Sequence, residues 1–155
     1  MTSHWVIREA QADDAPAWNV MRAQLWPDES ADSLAHDVSA YFSSHGPAVA
    51  LLAFADGVEA IGFAEATIRS DYVNGTDSSP VGFLEGWYVV PGWRAHGVGR
   101  ALVAAVEQWT RGQGCTELAS DTWLDHVGSQ RAHVACGFEE TERIVYFRKR
   151  LSAAG

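Results

Sequence analysis

Lysine is nearly missing from this chain. Of 11 basic residues only Lys149 is a lysine, against 20 Asp and Glu, and the formal net charge is −9. Nucleic-acid binding draws on a basic face, so that class of partner is not expected. An acidic surface attracts cationic ligands instead. Cysteine is scarce too. Cys115 and Cys136 are the only two, too few for a disulfide framework or a zinc site, and two thiols in a reducing compartment are expected. Histidines such as His36 and His45 show no metal-ligand spacing, and no metal is expected. Long apolar runs are absent. The longest, Ala48 to Ala55, falls far short of the ~20 residues that cross a bilayer, so no membrane span is expected. The opening "MTSHWVIREAQADD" lacks the basic-then-apolar pattern of a signal peptide, and the cytoplasm is the expected compartment. With no repeat, low-complexity tract or linker, a single domain over residues 1–155 is expected.

What is present is a regular alternation of elements. His4 to Glu9 reads as a strand. Asp13 and Asp14 can cap a helix with Pro16 in its first turn, Trp18, Met21 and Leu25 fall at helical spacing, and Pro27 ends the element. Ser30 can cap a second helix carrying Leu34, Val38 and Phe42 along one face. Ala48 to Ala55 reads as a buried strand, Asp56-Gly57 as a hairpin turn, and Val58 to Tyr72 as the returning strand. Val81 to Val90 is the next strand, Ala101 to Arg111 a helix stopped by Gly112 and Gly114, Cys115 to Thr122 a strand, and Asp125 to Cys136 a helix ended by Gly137. A final strand is expected around "RIVYFRK". The expected class is α+β, or mixed α/β, around one sheet.

Between a strand and a helix lies "VVPGWRAHGVGRALV", Val89 to Val103. First-turn N–H groups of a helix have no intrahelical partner, carry partial positive charge and point at an anion. Glycines allow the backbone to approach phosphate oxygens closely. Two phosphate-binding patterns fail here: Arg100-Ala101 stands where a Walker loop needs Lys-Ser/Thr, and Leu102 where a dinucleotide fingerprint needs its third glycine. The remaining pattern, Arg94-x-x-Gly97-x-Gly99 preceded by Val90-Pro91-x-Trp93 and followed at a distance by Gly137-Phe138, resembles the acetyl-coenzyme A signature of the GNAT superfamily of N-acetyltransferases. That resemblance implies a single splayed sheet, mostly antiparallel, flanked by about four helices. It implies acetyl-coenzyme A as co-substrate, with its pyrophosphate on the amides of Ala95, His96, Gly97, Val98, Gly99 and Arg100 and with charge added by Arg94. The backbone of Trp87, Tyr88 and Val89 would pair with the pantetheine arm as an added strand does, and the Val89 N–H would face the thioester carbonyl as an oxyanion donor.

Further segments, "LWP" at Leu25 to Pro27, "DYVNG" at Asp71 to Gly75, "SSPVGFLEG" at Ser78 to Gly86, "ASDT" at Ala119 to Thr122 and "GFEETER" at Gly137 to Arg143, resemble the bacterial aminoglycoside 6'-N-acetyltransferases. The resemblance implies an acidic cleft in which Trp26 and Tyr72 contact the sugar rings while Glu85, Asp121 and Glu142 bind ammonium groups. It implies resistance to aminoglycosides and a homodimer, to which the apolar "IVYF" would contribute. The residues themselves leave two roles open for Glu85: a cation-binding carboxylate and general base, or the partner of an arginine such as Arg69 in a structural ion pair. Trp26 can equally be core, and Glu142 a solvated neighbour of Glu139 and Glu140. Two positions depart from the pattern. His133 stands where many GNAT enzymes have a tyrosine that serves the departing thiolate, and imidazole can serve as an acid or simply pack. His126 aligns with an asparagine that touches the coenzyme. Two rival readings keep the loop: an acetyltransferase for another polyamine or a peptide amine, and a non-catalytic acyl-coenzyme A sensor.

Overall fold

The computed structural model describes residues 4–153. They fall into two compact units that divide after Asp121. The first unit is a five-stranded sheet in the order β1 to β5, with β1 (Trp5–Glu9), β2 (Ala48–Ala55), β3 (Glu59–Arg69) and β4 (Val81–Val89) antiparallel and β5 (Leu118–Ser120) parallel to β4. The expected α+β class and the expected order of these elements are observed. Helices α1 (Ala15–Leu25) and α2 (Ala31–Ser43) precede β2, and α3 (Val98–Gly112) links β4 to β5.

Local chemistry sets the helix ends. Asp14 accepts from the Gln11 N–H at 2.7 Å and pairs with Arg8 at 2.7 Å just before α1, a carboxylate at the helix start where the dipole favours it. Pro16 occupies the first turn, and Trp26 closes α1. The Ser30 hydroxyl accepts from the Ser33 N–H at 3.1 Å and caps α2. On one face of the sheet Trp18, Met21 and Val38 bury themselves against Ala50, Leu52, Phe54, Phe63 and Tyr88. On the other, Val98, Leu102, Val103 and Val106 of α3 are almost completely buried, an amphipathic helix laid on an apolar sheet.

The second unit holds α4 (Val127–Ala135), ended by Gly137 at φ +94°, a left-handed C-terminal residue as glycine allows. The strand expected around Arg143 to Lys149 is not formed. Residues 138–150 carry no strand pairing, and Val145, Tyr146 and Phe147 are 73, 84 and 93% exposed. β-Branched and aromatic residues favour extended backbone, but a strand exists only through a ladder partner, and none is paired with this segment among the described residues.

Candidate active site

The helix after the glycine loop begins about one turn earlier than the expected Ala101. α3 starts at Val98, with Gly97 as N-cap at φ +87°, a left-handed conformation that glycine adopts without a Cβ penalty. Ala101 N–H to Gly97 carbonyl, at 3.0 Å, is the first bond of the helix. The N–H groups of Val98, Gly99 and Arg100 therefore lack intrahelical acceptors. Nothing lies within 4 Å of where a Gly97 Cβ would stand, whereas a Cβ on Gly99 would meet the Trp87 indole at 3.3 Å. A concave cluster of N–H donors with open space at Gly97 fits a pyrophosphate. Arg94 stands just before this cluster. Its Nε donates to the Val89 carbonyl at 2.8 Å and its guanidinium lies 5.5 Å from the Tyr88 ring centre. Ala95 takes φ +63° to turn the chain, and His96 stacks edge-on against Trp93.

Strand β4 changes phase just before this loop. Its register with β3 runs Glu65 to Gly86 and then Ala66 to Leu84, so Glu85 is an extra residue in a β-bulge. Bulges redirect side chains, and this one does so while pairing with β3 continues on both sides of it. Leu84 packs on the α3 face, whereas Glu85 and Gly86 both face α1 and α2, and beyond them Trp87 returns to the α3 face, where its indole N–H donates to the Gly99 carbonyl at 3.1 Å. Tyr88 is buried in the core, which leaves its backbone alone for a ligand. Strand β5 pairs only with Gly82 to Leu84. Val90 N–H bonds to Ile61 across β3 at 2.9 Å. By strand alternation, the N–H groups of Trp87 and Val89 point to the opposite side, beyond the end of β5. The sheet is thus splayed next to the helix start, as the resemblance implied.

The bulge delivers Glu85 to a cleft of ≈ 270 Å³ lined by Arg22, Trp26, Glu29, Asp37, Glu65 and Glu85, with Leu34. Gly86 makes room for this wall. A Cβ there would stand 2.6 Å from the Trp26 indole, which packs against Phe63 at 6.2 Å between ring centres. Trp26 is therefore both core residue and cleft wall. Glu85 accepts from the Thr67 hydroxyl at 2.7 Å and forms a two-pronged pair with Arg69 at 2.8 Å. The structural ion pair is formed, and the Glu85 side chain is 30% exposed. Counting lining charges, one arginine faces four carboxylates, so the cleft is acidic. Glu65 and Arg22 were not singled out from the sequence. The signal was present in "FAEATIR": Glu65, Thr67 and Arg69 alternate at spacing two, a polar stripe on one face of an otherwise apolar strand.

Other expected residues stand elsewhere. Tyr72 follows β3 and is 78% exposed. Asp121 is exposed and follows Ser120, the register partner of Leu84. His126, His133 and Glu142 belong to the second unit. His126 caps α4, its Nδ1 accepting from the Ser129 N–H at 3.0 Å, a role that any capping residue fills. His133 Nδ1 donates to the Ser129 carbonyl at 2.7 Å, and its ring packs 5.2 Å from Phe138. Glu142 is exposed. Among the described residues no group of three His, Cys, Asp or Glu side chains is arranged to hold a metal, and no helix is long and apolar enough to cross a membrane.

Comparison with known proteins agrees with this geometry. The model of the acetyltransferase (GNAT) family matches residues 7–138. An aminoglycoside N(6')-acetyltransferase type 1 of Stenotrophomonas maltophilia is 57% identical over 92% of this chain and 91% of its own length. The protein of the same name from Salmonella typhimurium is 48% identical over 93% of this chain and 98% of its own. The structure of AAC(6')-Iy in complex with the bisubstrate analog CoA-S-monomethyl-acetylneamine superposes with a TM-score of 0.89 at 46% identity, covering 96% of this chain and 100% of that one. The chain belongs to the GNAT acetyltransferase family and, within it, to the aminoglycoside N(6')-acetyltransferases of type 1.

Proposed function

We propose that this protein acetylates the 6' amine of aminoglycoside antibiotics at the expense of acetyl-coenzyme A, and so gives resistance to them. One observation carries the reading. The stretch of β4 from Trp87 to Val89, past the register of β5, runs between a donor-rich helix start and the acidic cleft at Glu85. When bound, acetyl-coenzyme A supplies an acetyl thioester. The first-turn amides of α3 hold its pyrophosphate, and the edge of β4 receives the pantetheine arm. The Val89 N–H is the donor for charge on the thioester oxygen. Arg94, by holding the Val89 carbonyl, fixes the backbone that carries this donor. Glu85 orients the ammonium and accepts its proton, directly or through water. Its bond to Arg69 makes orientation the larger part of that role.

Trp26 and Tyr72 contact the sugar rings, and Asp121 and Glu142 complete the set of ammonium partners. His133 serves the departing thiolate through Nε2, since its Nδ1 proton is engaged by Ser129. His126 contacts the coenzyme. A homodimer in the cytoplasm, with neither nucleic acid nor membrane as partner, completes the reading. The test is turnover: purified protein and acetyl-coenzyme A are mixed with aminoglycosides that carry a 6' amine or a 6' hydroxyl, and free thiol is followed. Only the amines should react, with the acetyl group located at that position by fragmentation mass spectrometry. Acetylation of another amine would reject the regiochemistry, and no turnover of any aminoglycoside would reject the substrate class.

A further inference from the structure

The least exposed carboxylate in the cleft is Glu65, whose side chain is only 16% exposed. Its two oxygens are not treated alike. Oε1 accepts from the Trp18 indole N–H at 2.9 Å and from Arg22 Nε at 2.6 Å. Oε2 has one contact, to Arg22 Nη2 at 3.5 Å, beyond ordinary hydrogen-bond length. Arg22 cannot do better for it. Its Nη1 donates to the Leu34 carbonyl at 2.9 Å, and its Nη2 also lies 3.4 Å from Asp37. One terminal nitrogen is thus shared at long range between two carboxylates and satisfies neither. In a largely buried carboxylate an oxygen without a close donor is costly, and Glu29 and the Arg69-paired Glu85 line the same cleft. Burial is the main influence that pushes the Glu65 carboxyl above the usual range, Asp37 adds to it, and Arg22 and Trp18 oppose it. Each of these features is relieved by a cation placed at Oε2.

We propose that Glu65 is a substrate-binding, specificity-determining residue, whose Oε2 receives a second ammonium group of the aminosugar while Trp18 and Arg22 hold Oε1. It stands opposite Gly86 in the sheet, one residue from the bulged Glu85. The two carboxylates so placed read two amines of a polycation, which gives the cleft its preference for substrates with more than one. The inference rests on the aminoglycoside reading above.

The test separates the two. Steady-state kinetics are measured for wild type, Glu65→Gln and Glu65→Asp against two aminoglycosides that share the 6' amine and differ by one other amine. Wild-type turnover checks the reaction itself, and its absence overturns both readings. With turnover present, Glu65→Gln should raise the aminoglycoside KM about tenfold or more, the effect of losing one charge-assisted bond. The KM for acetyl-coenzyme A should stay within about twofold. Glu65→Gln should also lose most of the wild-type preference for the substrate with the extra amine. Glu65→Asp, which keeps the charge, should recover a large part of both. A structural role would impair Gln and Asp variants alike and move kcat and both KM values together, and that result overturns the proposal. All assays run below the melting temperature of each variant, so a fall in stability by itself leaves the KM comparison intact.

Discussion

Replacing Gly86 with alanine places a methyl group 2.6 Å from one carbon of the Trp26 indole, 3.0 Å from a second and 3.4 Å from Phe63. No carbon approaches so closely at rest, so something must shift. The indole is not a flexible tip. It is rigid, seated on Phe63, and the Arg22 guanidinium lies 4.9 Å from its centre. The backbone of Gly86 is fixed by its pairing with Glu65. Trp26 must therefore swing outward, and the Arg22 contact goes with it. Overpacking of this kind costs about 1–3 kcal/mol, which lowers the melting temperature by roughly 2–12 °C for a chain of this size. The displaced indole narrows or reshapes the cleft. The aminoglycoside KM should rise, while acetyl-coenzyme A affinity should hold if, as proposed, the α3 amides set it. Thermal melting and two-substrate kinetics check both halves. The double variant Gly86→Ala/Trp26→Ala adds a third check: with no indole to clash, adding alanine at 86 should cost little. A Gly86→Ala protein that melts like wild type with unchanged KM would refute the packing of Trp26 on Gly86 and, with it, this wall of the cleft.

Three further outcomes are expected. Gly97→Val forces a β-branched side chain into φ +87°, at a cost of about 1–3 kcal/mol, and fills the open space in the loop; calorimetry should find acetyl-coenzyme A binding lost in a protein that remains folded. Glu85→Gln should lower aminoglycoside kcat/KM by one to two powers of ten, or about 1.5–3 kcal/mol, yet change stability by at most ~1 kcal/mol because the pair with Arg69 is partly solvated; steady-state kinetics and urea denaturation read the two effects separately. Arg8 holds the Asp14 carboxyl below its usual range, chiefly through their hydrogen bond; a depressed carboxylate stabilises the fold above its unfolded value of about 3.9 and loses that contribution as pH falls through the folded one, so the urea midpoint of Asp14→Asn should lie below that of wild type at pH 7 and approach it near pH 3.

Everything set by neighbours in sequence was legible before the fold was known. Apolar spacing located α1 and α2, Ser30 announced its cap, and Asp56-Gly57 announced the hairpin between β2 and β3. The loop from Arg94 to Arg100 carries the expectation of an anion site, because helix-start amides and glycine freedom are local properties. The excess of carboxylates likewise declared the sign of the ligand. Only the tertiary structure decided the rest, since each remaining feature needs a partner far along the chain. The Glu85 bulge exists because β3 pairs out of step with β4. The splay exists because β5 ends at Ser120, shorter than the expected Cys115 to Thr122. Arg94 meets the Val89 carbonyl, and Glu65 meets an arginine 43 residues away. The segment at Ile144 to Phe147 has strand chemistry but no ladder among the described residues. Propensity is a property of a residue, whereas pairing, register and the burial of a charge are properties of what the folded chain brings beside it.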